Sequence, residues 1–118
     1  MAHVLIVDDE PAIALALEFL MQQDGHAVTS VRTAADALAA PVPDVVLLDV
    51  MLPDGSGLDV CRALKARDAA PHVLMISARG RDVDAAHGLA AGADGYLTKP
   101  FAIADVAARV RALLAGDA

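Results

Sequence analysis

The stretch Asp44-Val45-Val46-Leu47-Leu48-Asp49 decides the fold. Four apolar residues, two of them β-branched, lie between two aspartates, which is typical of a short strand buried on both faces of a parallel sheet. Asp49 stands where this strand ends, and in open α/β sheets ligands bind beyond the carboxyl ends of the strands. Taken alone, the stretch does not distinguish whether Asp49 caps a turn or is a reactive group.

The rest of the chain alternates strand and helix patterns five times. Continuous apolar runs predict strands, and apolar residues spaced three and four apart predict the helices between them. The predicted strands cover residues 3–7, 27–31, 44–49, 72–76 and 96–98. This alternation predicts a doubly wound parallel α/β sheet with five helices, arranged in three layers. We expect residues 1–118 to form one domain.

The helix boundaries are also marked in the sequence. Asp24-Gly25 ends the first predicted helix, and Thr33 and Ser56 are N-cap residues for the second and third. The fourth helix, at about 83–91, is weaker because Gly88 interrupts it, and the fifth carries apolar residues from Ile103 onwards.

Composition excludes several classes of protein. No apolar run approaches the roughly 18 residues of a membrane span, and the N-terminus lacks the pattern of a signal peptide, so we expect a cytoplasmic protein without membrane contact. Cys61 is the only cysteine, which rules out internal disulfides and fits a helix core residue. Residues 1–60 hold ten acids and one base, which argues against direct nucleic-acid binding and is compatible with a cation site.

Polar side chains follow four of the five predicted strands. They are Asp8, Asp9, Asp49, Ser77 and Lys99. If the first and third strands are central neighbours, these groups converge at one edge of the sheet. Three carboxylates about 5 Å apart repel by about 3 kcal/mol per pair at an effective dielectric of about 20. A hard divalent cation such as Mg²⁺ would compensate, and with Lys99 the set suits phosphoryl transfer to Asp49.

At these positions the chain resembles the receiver domain of bacterial two-component response regulators. The resemblance rests on Asp8-Asp9, Asp49, Ser77 and Lys99-Pro100, and extends to the segments 50–55 and 92–101. Residues 108–114 resemble receivers that are attached to winged-helix DNA-binding domains. The resemblance implies a flavodoxin-like fold, a five-stranded parallel sheet of order 2-1-3-4-5.

The resemblance also implies a role for each residue of the site. Asp9 would bind Mg²⁺ (or Mn²⁺ in its place) directly, Asp8 through water, and Met51 through its backbone carbonyl. Asp49 would supply a further oxygen ligand and accept a phosphoryl group from a partner histidine kinase or phosphotransfer protein. Lys99, before a cis Pro100, would neutralise the phosphoryl oxygens.

The remaining implied roles concern the switch and the output surface. Ser77 would bond the phosphoryl group, Tyr96 would rotate as Ser77 moves, and the small Ala78 would leave room for that movement. The fourth and fifth helices with the fifth strand would form the output face and a possible homodimer contact. Arg109, Arg111 and Asp94 lie in or beside it, but Gly95 replaces a second acid of that subfamily.

Three other functions compete with this interpretation. An aspartate-nucleophile phosphatase would need a second acid where Met51 stands. A flavodoxin-like binder would need a Ser/Thr/Gly-rich phosphate loop where the chain has Asp8-Asp9-Glu10. A degenerate receiver that acts only as a scaffold would lack one of Asp9, Asp49 or Lys99, and none is missing. A stand-alone receiver that acts as a scaffold or adaptor is the remaining alternative. We therefore expect a signalling domain that is not an enzyme beyond its own phosphorylation and dephosphorylation.

Overall fold

The computed structural model describes residues 2–77 and 88–116, and within them strands and helices alternate. The helices are α1 (Pro11–Gln23), α2 (Ala34–Ala39), α3 (Gly57–Lys65), α4 (residues 88–90) and α5 (Ile103–Ala115). The strands are β1 (His3–Val7), β2 (Ala27–Val31), β3 (Val45–Asp49), β4 (Met51–Leu52), β5 (Gly55–Ser56), β6 (His72–Ser77) and β7 (Gly95–Thr98).

The main sheet has five parallel strands in the order β2-β1-β3-β6-β7. Counted along the chain within this sheet, the order is 2-1-3-4-5, as the resemblance implied. The strand of the opening stretch, β3, is central, and all five of its residues are buried. Asp44, just before β3, accepts a hydrogen bond from the backbone N–H of His3 at 2.8 Å and so aligns β3 with β1. The short strands β4 and β5 form a separate antiparallel hairpin.

Alternating side chains of the sheet enter two hydrophobic cores, one on each face. Leu5 and Val7 of β1 pack with buried residues of α2 and α3, while Val4 and Ile6 pack with α1 and α5. Cys61 is fully buried on the α3 face, as its helical spacing predicted. The fold is therefore the predicted three-layer arrangement, with helices on both sides of one sheet.

The predicted helix caps are confirmed. Thr33 accepts a hydrogen bond from the N–H of Asp36, and Ser56 accepts one from the N–H of Leu58. Helix α1 ends at Gln23 with Asp24 as its C-cap, followed by Gly25 at φ 85°, a left-handed conformation that glycine adopts without strain.

Two further expectations concern the fourth helix and membranes. The predicted helix at 83–91 lies mostly outside the described residues, and Ala78 lies wholly outside them; residues 88–90 are helical. Among the helices within 2–77 and 88–116, none combines the length and apolar character that crossing a bilayer would require.

Candidate functional site

The ends of β1 and β3 bring three carboxylates together. The two strands are parallel neighbours with Val7 opposite Leu48, so Asp8 follows one strand level with Asp49 at the end of the other. Oxygen atoms of Asp8, Asp9 and Asp49 all lie within 4.8 Å of one another. Asp8 and Asp49 are only 3% and 6% exposed, whereas Asp9 is exposed. The predicted convergence of these acids is present.

Lys99 joins this cluster from the far edge of the sheet. The Lys99-Pro100 peptide bond is cis, as expected, and follows β7. The Lys99 ammonium donates hydrogen bonds to Asp8 Oδ2 at 3.0 Å and to Asp49 Oδ2 at 3.2 Å. A third hydrogen bond, at 2.8 Å, goes to Glu10 Oε1. Lys99 thus compensates part of the carboxylate repulsion inside the site.

Glu10 is the site residue that sequence reasoning missed. In the sequence Glu10 is only the last of three acids before Pro11, although its carboxylate makes the shortest of the three contacts to Lys99. Its position as the third acid after β1 was the one available signal. A run of acids at a helix start has an ordinary explanation in the helix dipole, so that signal was weak.

The protonation equilibria follow from burial and these contacts. Burial raises the pKa of Asp49, an effect that the positive charge of Lys99 and the N–H of Met51 only partly oppose. For Lys99, burial alone would lower the pKa of the ammonium. Its hydrogen bonds to Glu10 and Asp8 and the charge of Asp49 outweigh burial, so the pKa is raised and Lys99 remains charged.

These groups surround an open cleft of about 240 Å³. Its lining residues are Asp9, Glu10, Asp49, Met51, Ser77 and Lys99. With Asp8 beneath, four carboxylates and one ammonium meet here among residues 2–77 and 88–116, so carboxylates predominate in the described lining. A donor set made of carboxylate oxygens suits a hard divalent cation such as Mg²⁺, so the residues present fit the implied metal.

The hairpin β4–β5 forms one wall of the cleft. The N–H of Met51 donates to Asp49 Oδ1 at 3.2 Å, and Met51 is 61% exposed at the rim. At the base of the hairpin, the N–H of Gly57 donates to the carbonyl of Val50 at 2.6 Å. The hairpin is therefore held directly against the residue expected to react.

The two residues expected to switch occupy different places. Ser77 ends β6, is 1% exposed and lines the cleft. Tyr96 lies on β7 beside Met75, outside the cleft, and packs half-buried against the core on the α3 face. The structure thus places Ser77 with the acidic cluster and Tyr96 on the edge strand of the sheet, outside the cleft.

Two of the three charged residues expected at the dimer face have partners within the chain. Asp94 Oδ2 accepts hydrogen bonds from Lys65 Nζ at 3.0 Å and from the N–H of Val73 at 2.8 Å. Arg111 pairs with Asp24 at 3.1 Å. Asp94 and Arg111 therefore already have partners within the chain, which a second copy of the chain would have to share or displace.

Comparison with known proteins gives concordant matches. A family model described as "Response regulator receiver domain" matches residues 4–111. The sensory transduction protein RegX3 of Mycolicibacterium smegmatis is 45% identical over 117 residues, which cover 97% of this chain and 51% of that protein. The transcriptional regulatory protein CreB of Escherichia coli is 46% identical over 114 residues, covering 94% of this chain and 50% of that protein. The chain thus spans about half the length of these relatives.

Solved structures agree with the sequence matches. The BeF₃-activated receiver domain of DrrB superposes with a TM-score of 0.92 at 36% identity, covering 97% of both chains. A structure of DrrB, described as an OmpR/PhoB homologue of Thermotoga maritima, gives the same TM-score over 99% of this chain and 54% of that one. Together with the strand order and the acidic cluster, these matches establish that the chain belongs to the response regulator receiver domain family of two-component signalling.

Proposed function

We propose that this receiver domain accepts a phosphoryl group on Asp49 from a partner histidine kinase or phosphotransfer protein. The observation that carries the proposal is the contact of Lys99 with both Asp49 and Asp8 in a cleft that Asp9 also lines. This arrangement supplies a nucleophile, an ammonium and an oxygen-rich cation site within one small volume. Such a set provides the positioning and charge neutralisation on which phosphoryl transfer depends.

The transfer forms one bond and breaks another. A carboxylate oxygen of Asp49 attacks the phosphorus of a phosphohistidine, the new P–O bond forms, and the P–N bond breaks. The imidazole leaves with the electron pair and takes a proton from solvent. Lys99 donates hydrogen bonds to the phosphoryl oxygens, and the N–H of Met51 orients the Asp49 carboxylate through its contact with Oδ1.

The proposed metal site uses the acidic cluster. Asp9 and Asp49 would bind Mg²⁺, or Mn²⁺ in its place, directly, with Asp8 acting through water and Met51 through its backbone carbonyl. When bound, the cation would neutralise phosphoryl oxygens and reduce the repulsion among the carboxylates. The oxygen-only donor set and the separation of at most 4.8 Å among the three acids support this assignment.

Signalling would follow from the change at Asp49. The added phosphoryl group would draw Ser77 inward, and Tyr96 would rotate as the neighbouring strand end adjusts. The output would appear on the surface formed by α4, β7 and α5, which we propose as a contact for a second copy of the chain. Arg109 is exposed on α5, with its Nη1 atom close to Gly95, and is one cation that such a contact would use.

The proposal is tested by incubating the protein with acetyl phosphate and measuring its intact mass. A single phosphate adduct that requires Mg²⁺ and is absent from Asp49→Ala is the expected result. Asp54→Ala, which removes another aspartate of the same loop outside the cluster, should still form the adduct and serves as a control. No adduct, together with no Mg²⁺ binding, would leave the scaffold role as the better interpretation.

A further inference from the structure

We propose that Glu10 is a displaceable partner of Lys99, which competes with the incoming phosphoryl group and so lowers the affinity of the site for it. The inference rests on the proposed function of Asp49. It adds a residue that specifies how tightly the phosphorylated state is held, and it assigns a role to a contact that neither the sequence nor the family comparison explains.

The first argument is the number of donors on Lys99. An ammonium group carries three N–H donors, and in this structure three carboxylates accept from it: Asp8, Glu10 and Asp49. No donor of Lys99 is left for an additional oxygen. A phosphoryl group that binds Lys99 must therefore take the place of one of these three acceptors.

The second argument identifies which acceptor leaves. The Asp8 side chain is 3% exposed, and separating it from Lys99 would leave a buried carboxylate poorly compensated. Asp49 carries the phosphoryl group itself and stays beside Lys99. The Glu10 side chain is 57% exposed, so water can hydrate its carboxylate as soon as it moves away. Release of Glu10 is therefore the least costly of the three.

The third argument is that Glu10 can move without disturbing the fold. Its backbone is fixed, because its N–H donates to Asp8 Oδ1 at 2.9 Å and its carbonyl accepts from the N–H of Ala14 at 3.0 Å. Glu10 is the N-cap residue of α1, but its side chain makes no capping hydrogen bond. Side-chain rotation alone would carry the carboxylate from Lys99 to solvent near the start of α1, where the helix dipole favours a negative charge.

The experiment measures the affinity for beryllofluoride, which mimics a phosphoryl group, by calorimetric titration at saturating MgCl₂ for each variant. Glu10→Gln should bind about two- to fivefold more tightly than the parent, the range that corresponds to losing one exposed ion pair. Asp68→Asn removes an equal charge from an exposed aspartate that forms no ion pair among the described residues. That control should bind as the parent does.

Glu10→Asp separates the contact from the general effect of charge. This variant keeps the negative charge, but its side chain is one methylene shorter and loses its reach to Lys99. Tighter binding by both Glu10→Asp and Glu10→Gln supports competition for Lys99. Tighter binding by Glu10→Gln alone would mean that only the electrostatic field matters, and would overturn the inference. Circular dichroism of both variants checks that each is folded.

The outcomes distinguish this inference from the function on which it rests. If the parent binds no beryllofluoride, the proposed phosphoryl-accepting function itself fails. If the parent binds it and both Glu10 variants bind with the same affinity, the function stands and the role of Glu10 is refuted. The rate of modification by acetyl phosphate gives a second readout. If Glu10 competes for Lys99, its substitution should change the acetyl phosphate concentration that gives half-maximal rate more than it changes the limiting rate.

Discussion

Single residues set the position of the Asp49 carboxylate. Gly57 contributes because it has no side chain. A Cβ atom at this position would overlap the carbonyl oxygen of Asp49 and lie 2.9 Å from Cα of Val50. Helix α3 can begin this close to the end of β3 only because residue 57 is glycine. This close approach places the β4–β5 hairpin, and with it the backbone N–H of Met51, against the Asp49 carboxylate.

Replacing Gly57 by alanine should therefore cost about 3 kcal/mol of unfolding free energy, at the upper end of the usual cost of overpacking. Gly55→Ala is the matched control, because a Cβ atom there meets nothing within 4 Å. It should change stability by less than about 0.5 kcal/mol. Urea unfolding of the two variants beside the parent makes the comparison, and equal stabilities for Gly57→Ala and Gly55→Ala would contradict the close approach.

The charge on Asp49 also carries a stability cost at the residue scale. Burial raises its pKa, so the folded state disfavours the charged form that is present at neutral pH. Asp49→Asn should for this reason unfold at a higher urea concentration than the parent in metal-free buffer at neutral pH. A lower midpoint for Asp49→Asn would mean that its contact with Lys99 outweighs burial and the repulsion of Asp8.

At the scale of elements, the hairpin is anchored to a helix that has no part in the cleft. Asp54, just before β5, accepts hydrogen bonds from the N–H groups of Ala34 at 2.7 Å and Ala35 at 3.0 Å, at the start of α2. The hairpin tip thereby caps α2, together with Thr33. Ala34 and Ala35 lie about 20 positions before Asp54, so no local sequence pattern indicates this long-range cap.

The cap predicts a pH-dependent contribution to stability. The hydrogen bonds from Ala34 and Ala35 lower the pKa of Asp54. A carboxyl with a lowered pKa stabilises the folded state above its unfolded-state pKa of about 3.9, and this stabilisation is lost as the pH falls through its folded-state pKa. Asp54→Ala should therefore be less stable than the parent at neutral pH, and the difference should shrink on acidification.

Urea unfolding of both proteins at neutral pH and at a pH well below about 3.9 measures this difference. Asp68→Ala, at an exposed position, controls for the loss of a negative charge. A difference that stays constant across the pH range would show that the Asp54 carboxylate is not the origin of the stabilisation.

The hairpin also bears on the lifetime of the phosphorylated state. The Met51 side chain is exposed at the rim of the cleft and has no group that could orient an attacking water molecule. We expect slow loss of phosphate from the parent and faster loss from Met51→Asn, whose amide could hold water near the phosphorus. Intact mass at intervals after removal of the donor follows both rates; equal rates would remove any role for this position.

For the whole molecule, the site is a property of the assembled sheet. Asp8 and Asp9 follow β1, Asp49 ends β3 and Lys99 follows β7, so the groups meet only when separate strands have taken their places. The same strands carry both hydrophobic cores. Binding of a cation should therefore stabilise the folded state as a unit, since the unfolded chain lacks the assembled site.

This coupling predicts a dependence of stability on Mg²⁺. At a concentration about 100 times the dissociation constant, Mg²⁺ should raise the unfolding free energy by about 2.7 kcal/mol. Asp9→Asn should lose most of this gain, whereas Asp68→Asn should keep it. Thermal or urea unfolding with and without MgCl₂ gives the values, and a full gain in Asp9→Asn would place the cation elsewhere.

The sequence by itself determined the five strands of the main sheet, most of the helices and their caps, because apolar periodicity and capping residues act over a few positions. It did not indicate the short strands β4 and β5. It also identified Asp8, Asp9, Asp49, Ser77 and Lys99, because the carboxyl ends of parallel strands must meet at one edge once the sheet order is known.

Only the tertiary structure decided which contacts these residues make. Three contacts join residues far apart in the chain: the hydrogen bond from Lys99 to Glu10, the cap of α2 by Asp54 and the ion pair of Asp94 with Lys65. These contacts depend on how whole helices and strands are placed relative to one another. The packing of the two cores sets that placement, and no local pattern in the sequence encodes it.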